Sequence, residues 1–591
     1  MPSTLESRNE DSAGLSRWER LLSEFLTCDR RALNVDFHLL TTPLGLLASV
    51  SLIYLIAPSS LAVGFGVAYA LALAIFLPLR VWCVTAAVLT ALVAATVVWP
   101  LGLVTSLVLF AVAYVLQEVA HLLTGEKTLQ STDMGSRTWW LQMSEHAFFA
   151  LPLVLAVAFR CEGSIFSFLI PRNILFSTKL DTRKFTEQFE CIRKFAESER
   201  LSEFTTTHHW QEELRGDERG AFDALASADA ILSMLRGFYG DRYAIDILPG
   251  MNEIYVSAPA TAVSSDRVFY TPHVDGPLPI YPMAAVYRCM LAINDNAHVH
   301  THFPMSGSSY DHPKSFTLST GDAVAFDYHR EPHYVTSDDQ PRSNRRISLK
   351  LHYLIYPKRL GPYGRALGRM TTWYNARSRG IFLSTISPRG FFARLKTVGL
   401  LFCTGMFQLI VRTIGWGNLL YVSACAMLSV LFSDARPMLI GTSFVHYFLY
   451  AGVMADRENV SIVRFKRNAM FFTALSFAQL LGCYLYFFQS DLMSLSLIGI
   501  GFGLATWATA FGINRSYFGA ELGHFPPHRV NPLPYRLLPH PMIVGALAGL
   551  VGIYLLKPFR EDLSWLVPTH IALYVVVLTE KNTLKRWDTA D

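Results

Sequence analysis

TPHVDGPL, residues 271–278, places a histidine and an aspartate two positions apart, His273 and Asp275. Alternate residues of an extended segment project to the same face, so both side chains aim at one point. Short β-rich runs surround the stretch between residues 243 and 357: AIDILPG, EIYVSA, VYRCMLAIN, FTLSTGDAVAFDY and ISLKLHYLIY, separated by Gly, Pro, Asn and Asp. Strands at this spacing predict a sandwich or jelly roll with two ligand-type groups on one face.

Outward from this segment the chain changes character. It has 591 residues, so more than one folding unit is expected. Mean hydropathy is +0.29 and only 16% of residues are charged, which fits a membrane protein with a soluble insert. Residues 1–38 are polar, and MPSTLESRNEDSAGLSRWER has no apolar signal-peptide core. Residues 39–160 form a first apolar block with four spans and a fifth starting near Trp139, each approaching the ~20 residues that cross a bilayer. Residues 161–395 contain no such run; RKFTEQFECIRKFAESERLSEF within them reads as amphipathic helix. Residues 396–591 form a second apolar block with seven candidate spans, MLIGTSFVHYFLYAGVM and PMIVGALAGLVGIYLL among them. The expected fold class is therefore two transmembrane helical bundles flanking an α+β soluble domain with a jelly-roll core. No repeat links the two blocks, and mixed loop charge leaves the orientation open. The net charge of +5 is scattered, with no basic stripe, which argues against nucleic acid binding. Eight Cys without a CxxC pair indicate neither a disulfide framework nor a zinc ribbon.

A distal histidine, His333, lies in GDAVAFDYHREPHYV, and RRISLKLHY follows with Arg346 at its start. Two His and one carboxylate on one face of Fe(II) leave the opposite face open. A guanidinium pairs bidentately with a carboxylate, such as the far end of a 2-oxo acid. HVD, the GDAVAF turn into a distal His and the RISL strand together resemble the Fe(II)/2-oxoglutarate-dependent oxygenase superfamily. The resemblance implies a double-stranded β-helix, with His273, Asp275 and His333 as iron ligands and Arg346 as the 2-oxoglutarate clamp. The interval from His333 to Arg346 is a little longer than many members show, which leaves Arg342 and Arg345 open as alternatives. HVHTHF carries His298, His300 and His302, either a further metal cluster or surface and pocket-lining residues. Arg288 reads either as a substrate contact or as a buried structural group.

In the first apolar block, Asn34 and His38 share a helix face, as do Gln117 and His121. Ionisable groups near membrane depth are costly and usually functional. Asn34, His38, Thr42 and Pro43, Gln117, His121 and Glu126 resemble the pattern of the membrane-bound 2-hydroxy fatty acid dioxygenases. That resemblance implies a second metal site at Asp29, His38 and His121, with Asp29 standing where the family has a histidine. The other reading has these His, with His146, capping helices at the membrane surface.

In the second block, GIGFGLATWATAFGI, LLPHPMIVGALAGL and VVVLTEKNTLKRW resemble the phospholipid and isoprenylcysteine methyltransferases of membranes. The resemblance implies S-adenosylmethionine bound by Gly501, Gly503, His540 and Glu580. Glu580 is followed by Lys581 where those families often show a second acidic residue. The alternative is a glycine-packed anchor.

The expectation is a membrane-bound oxygenase hydroxylating a lipid or lipid-like substrate, coupled to methylation by the last block. Its cofactors would be Fe(II) and 2-oxoglutarate, with S-adenosylmethionine for the second activity, and its partners a lipid bilayer and a hydrophobic small molecule. The lipid-enzyme resemblance implies an internal membrane such as the endoplasmic reticulum, with the soluble domain in the cytosol. The alternatives are a methyltransferase with an accessory oxygenase domain, and a non-catalytic scaffold or transporter.

Overall fold

The computed structural model describes residues 17–29, 32–57, 59–126, 128, 139–160, 171–198, 206–240, 242–257, 272–276, 284–338, 345–386, 390–455, 460–511, 522, 533–538 and 540–587. The chain divides into two compact units. One comprises residues 1–171, 419–460 and 468–591, the other residues 172–418 and 461–467.

The first unit is helical and joins both apolar blocks, which the sequence suggested were separate bundles. Helix Leu79–Val98 of the first block meets helix Leu566–Trp587 of the second, where the Cys83 thiol lies 3.8 Å from the Val576 carbonyl. Ala87 shares a buried cluster with Leu439, Phe444, Leu550 and Leu566. Apolar helix faces separated by several hundred residues bury one another, which hydropathy along the sequence does not reveal.

Six described helices are long and apolar enough to cross a membrane, so the chain is a multi-pass membrane protein. Five of them are Asn34–Ile56, Val81–Val98, Leu103–Thr124, Ile462–Tyr486 and Leu492–Ala510. The sixth, Phe391–Thr413, belongs to the second unit, and the boundary drawn at residue 395 falls inside it. Two expected spans are broken. MLIGTSFVHYFLYAGVM divides into helices Arg436–Ser443 and Val445–Ala455. PMIVGALAGLVGIYLL ends in a 92° bend between Pro541–Tyr554 and Lys557–Leu563.

The second unit is built on antiparallel strands: β1 (Leu175–Lys179), β2 (Thr206–Trp210), β3 (Tyr243–Ile247), β4 (Glu253–Ser257), β5 (Ala285–Ala292), β6 (Val299–Phe303), β7 (Lys314–Thr317), β8 (Asp322–Asp327), β9 (Tyr334–Ser337) and β10 (Arg346–Pro357). One sheet runs β1-β8-β5-β10-β4-β2, with β3 also on β10, and a second runs β7-β6-β9. β1 and β2 precede the segment in which strands were expected. They extend the sheet at its two edges, and their short, part-polar sequences carry little period-2 signal.

Period 2 then sorts each strand. Ile347, Leu349, Leu351, Tyr353 and Ile355 of β10, with Tyr287, Cys289 and Leu291 of β5, are buried in one cluster with helices Thr186–Ser198, Gly216–Ala226 and Asp229–Tyr239. On the other face, Met290 and Ala292 of β5 join Phe303, Val324 and Phe326 between the two sheets. Alternation therefore puts Arg288, Arg346, Lys350 and His352 on this inner face. The GD signal before β8 marks a turn that needs glycine, since Gly321 has φ +86°.

Candidate functional site

His273 and His333 form an isolated antiparallel bridge. The His273 N–H donates to the His333 carbonyl at 3.0 Å, and the His333 N–H to the His273 carbonyl at 2.9 Å. This pairing brings the two rings side by side, with centroids 4.6 Å apart. Asp275 follows at a bend, its Oδ1 3.9 Å from His273 Nε2 and its Oδ2 3.6 Å from His333 Nε2. The three donor atoms lie within 4.8 Å of one another, as two His and a carboxylate would around one divalent ion. The glycine after the aspartate is required by a close approach. A Cβ on Gly276 would overlap the His329 ring, whose Nδ1 sits 2.9 Å from the Gly276 carbonyl.

The electrostatics suit a cation. Burial pushes His333 down to about 3, so the imidazole is neutral and offers a lone pair. Burial alone would raise Asp275, but the Arg288 guanidinium beside it outweighs burial and holds the carboxyl well below its usual range. A neutral His333 imidazole and an ionised Asp275 carboxylate are the states in which these two groups can ligate a metal. The Glu331 carbonyl lies 3.4 Å from His333 Nδ1, which leaves Nε2 for the centre.

Sequence reading left the role of Arg288 open. Its Nη1 lies 2.8 Å from Asp275 Oδ2, and its Nε donates to His352 Nε2 at 3.0 Å. The available signal was a lone cation in phase with Met290 and Ala292 on a strand whose other residues are apolar. Arg346 is half-buried on the inner face, its guanidinium 5.7 Å from the Tyr255 ring centre. Lys350 is on the same face, 2.7 Å from Glu253, which in turn bonds His208 at 2.7 Å. Arg345 is engaged elsewhere, donating to the Ala196 and Glu197 carbonyls at the end of helix Thr186–Ser198, at 2.9 and 3.1 Å. Arg342 lies outside the described residues. His300 and His302 are satisfied by Thr317, Asp338, Ser315 and Thr336 at 2.6–3.1 Å, a hydrogen-bonded surface ladder on β6 rather than a metal cluster.

A second cluster forms in the helical unit. Asp29 follows helix Arg17–Cys28, His38 lies on helix Ala32–Ile56 and His121 on helix Leu103–Thr124. His38 Nε2 and His121 Nε2 each lie 3.7 Å from Asp29 Oδ1, and all three residues are buried. The Asn34 amide ties the cluster together. It donates to Asp29 Oδ1 at 2.7 Å and to Glu126 Oε2 at 3.1 Å, and lies 3.2 Å from His121 Nδ1. Gln117 donates to Thr42 at 3.2 Å. Burial, then Glu126, pushes the Asp29 carboxyl up to about 8. His146 stacks on Phe25, with centroids 5.8 Å apart.

The residues expected to hold S-adenosylmethionine are dispersed in role. Gly501 is a packing glycine: a Cβ there would overlap the backbone of Gly549 and Gly545 on helix Pro541–Tyr554. A Cβ on Gly503 would meet nothing within 4 Å. His540 is exposed at the N-cap of helix Pro541–Tyr554, and Glu580 falls within helix Leu566–Trp587.

Residues 490–587 match the family model described as phospholipid methyltransferase. No curated protein matches the chain. Among solved structures, it is similar to a Pseudomonas putida prolyl-4-hydroxylase, at 16% identity over 34% of this chain and 98% of that one, TM-score 0.22. It is similar to a Trichoplax adhaerens prolyl hydroxylase in complex with a hypoxia inducible factor peptide, at 16% identity over 39% and 97%, TM-score 0.24. A third similarity is to a non-heme alpha ketoglutarate dependent epimerase from nogalamycin biosynthesis, at 14% identity over 34% and 80%, TM-score 0.23.

Proposed function

We propose that the protein is a membrane-bound Fe(II)/2-oxoglutarate-dependent oxygenase that hydroxylates a lipid or lipid-like substrate. The observation that carries this reading is the convergence of His273 and Asp275 of the HVD segment with His333, the residue just before β9. The strand order supports it: β4-β10-β5-β8 faces β7-β6-β9, and the His273–His333 bridge lengthens the smaller sheet, the arrangement of a double-stranded β-helix. Bound iron and co-substrate would supply O2 activation, with 2-oxoglutarate released as succinate and CO2. His273, Asp275 and His333 would hold the ion on one face. Arg288 holds one Asp275 oxygen, which fixes the carboxylate's rotation. Arg346 would receive the far carboxylate of the co-substrate. The spans and the segment matching phospholipid methyltransferases support a lipid substrate. Cytosolic supply of the co-substrate favours a cytosolic soluble domain, with the endoplasmic reticulum as the membrane.

The experiment uses full-length protein in detergent, supplied with Fe(II), O2 and 2-oxoglutarate, and measures succinate. Uncoupled turnover lost in Asp275→Ala and His333→Ala supports the reading; equal turnover in all three proteins refutes it.

A second activity is favoured by the match over residues 490–587. In this reading the last block transfers a methyl group from S-adenosylmethionine to a lipid, with Gly501, Gly503, His540 and Glu580 near the cofactor. Transfer of labelled methyl into membrane lipid tests it independently of the iron centre. Asp29, His38 and His121 would form a further metal centre, as their geometry permits.

A further inference from the structure

The distal ligand is held by a segment remote in sequence. Residues 461–467 belong to the β-bearing unit, although they open helix Ile462–Tyr486, one of the candidate spans. Arg464 forms an ion pair with Glu331, with side-chain exposures of 7% and 0%. Its Nη1 also donates to the Arg330 carbonyl at 3.2 Å. Ser461 Oγ donates to the Met305 carbonyl at 2.5 Å. Ser306, next to Met305, donates to Glu331 Oε1 at 3.1 Å. The first turn of this helix therefore grips both loops beside His333.

Such a buried pair is weak evidence for stability, because the desolvation of two charges offsets much of their attraction. What it does offer is a fixed direction. Glu331 is the residue whose carbonyl faces His333 Nδ1. We propose that Arg464 is a positioning residue of the candidate iron centre, holding the Arg330–Glu331 turn so that the Glu331 carbonyl keeps His333 Nε2 aimed at the ion. The inference rests on the oxygenase reading. It makes the metal centre conditional on a helix that continues as a candidate span, so the β domain read as residues 161–395 lacks a part of its own site.

The test is a Co(II) titration of full-length protein in detergent, followed by the visible d–d absorption. It is run in a His38→Ala background so that the helical cluster does not contribute. Arg464→Ala is expected to weaken Co(II) binding about 10-fold, the lower end of the loss when a direct partner of a metal ligand is removed, because Arg464 acts on His333 through Glu331. The absorption band is expected to shift, since the His333 ring is no longer held. Arg464→Lys keeps the charge, and with it the fold, but cannot reach both acceptors; it should recover part of the affinity and part of the band shift. A purely structural pin would lower the melting temperature and leave the band of the folded fraction unchanged. Wild-type affinity and band in folded Arg464→Lys or Arg464→Ala overturns the proposal. Co(II) binding unaffected by Asp275→Ala overturns the oxygenase reading first, and this inference with it.

Discussion

The centre at His273, Asp275 and His333 is assembled by strands, and the one at Asp29, His38 and His121 by helix ends, and the two carboxylates are left in opposite states. Asp275 meets the Arg288 guanidinium, which outweighs burial and keeps the carboxyl ionised. Asp29 meets an amide, two imidazoles and nearby Glu126, so burial and like charge push it up to about 8. Similar ligand sets thus differ in readiness. His333 and Asp275 already stand in the charge states a cation would need, whereas Asp29 would have to lose a proton for the helix-built cluster to bind one.

The largest effect should come from removing each carboxylate. Asp275→Ala and Asp29→Ala are each expected to lower the bound Co(II) from two ions per chain to one, and the double variant to none. Metal analysis after gel filtration gives the count. Loss of both ions from either single variant would mean that the two centres are one cooperative system.

The next effect is in pH. Binding at the helix-built centre should strengthen about tenfold per pH unit from pH 5 to 8, as a proton on Asp29 gives way to metal. At the strand-built centre, His333 and Asp275 are already deprotonated over that range and add no such slope. Without metal the two stability contributions depend on pH in opposite directions. Asp29, with its pKa raised from 3.8 to about 8, stabilises the fold below pH 4, and that contribution is lost as pH rises through 8. His333, lowered from 6.5 to about 3, contributes fully above pH 6.5 and loses its contribution as pH falls toward 3. Titrations in His38→Ala and Asp275→Ala backgrounds separate the slopes; equal slopes would erase the distinction.

A smaller contrast lies within the strand-built centre. Arg346→Ala should raise KM for 2-oxoglutarate roughly 10- to 100-fold, the worth of a charge-assisted contact, with Co(II) affinity unchanged. Lys350→Ala should act on the fold instead, because it leaves Glu253 buried beside His208 without its ammonium partner, a loss of about 3–5 kcal/mol. Steady-state kinetics alongside thermal melting distinguishes them. A raised KM in folded Lys350→Ala with none in Arg346→Ala would move the clamp to Lys350.

The strand-built centre was legible because its signals are local. HVDG, the GD turn and the alternation of ISLKLHYLIY each describe a few adjacent residues, and period 2 fixes the face. Arg288 was visible as a cation but not as the partner of Asp275, since that contact depends on the register between β5 and the HVD segment. Arg464 gave no signal, because nothing near residue 464 in the sequence refers to Glu331. The helix-built cluster was legible as Asn34 with His38 and Gln117 with His121, but the place of Asp29 beside them depends on three helices meeting. The sequence of the second membrane block reads as seven candidate spans, some of them paired or tilted rather than independent, without showing which. Hydropathy does not register the break at Phe444, the bend after Tyr554, or the joining of both blocks in one unit.

The smallest expected effect separates packing from binding among the glycines of helix Leu492–Phe511. Gly501→Ala puts a methyl into the backbone of Gly549, and overpacking of this kind costs about 1–3 kcal/mol. Gly503→Ala meets nothing within 4 Å and should leave the melting temperature unchanged or slightly higher, because alanine is the better helix former by roughly 1 kcal/mol. If Gly503 lines the S-adenosylmethionine site, Gly503→Leu should weaken cofactor binding with the fold intact, whereas Gly501→Ala should lose binding only as stability is lost. Calorimetric titration with S-adenosylmethionine beside thermal melting reads both quantities. Wild-type binding by Gly503→Leu would remove Gly503 from the cofactor site and leave Gly501, packed on helix Pro541–Tyr554, as the glycine that explains the motif.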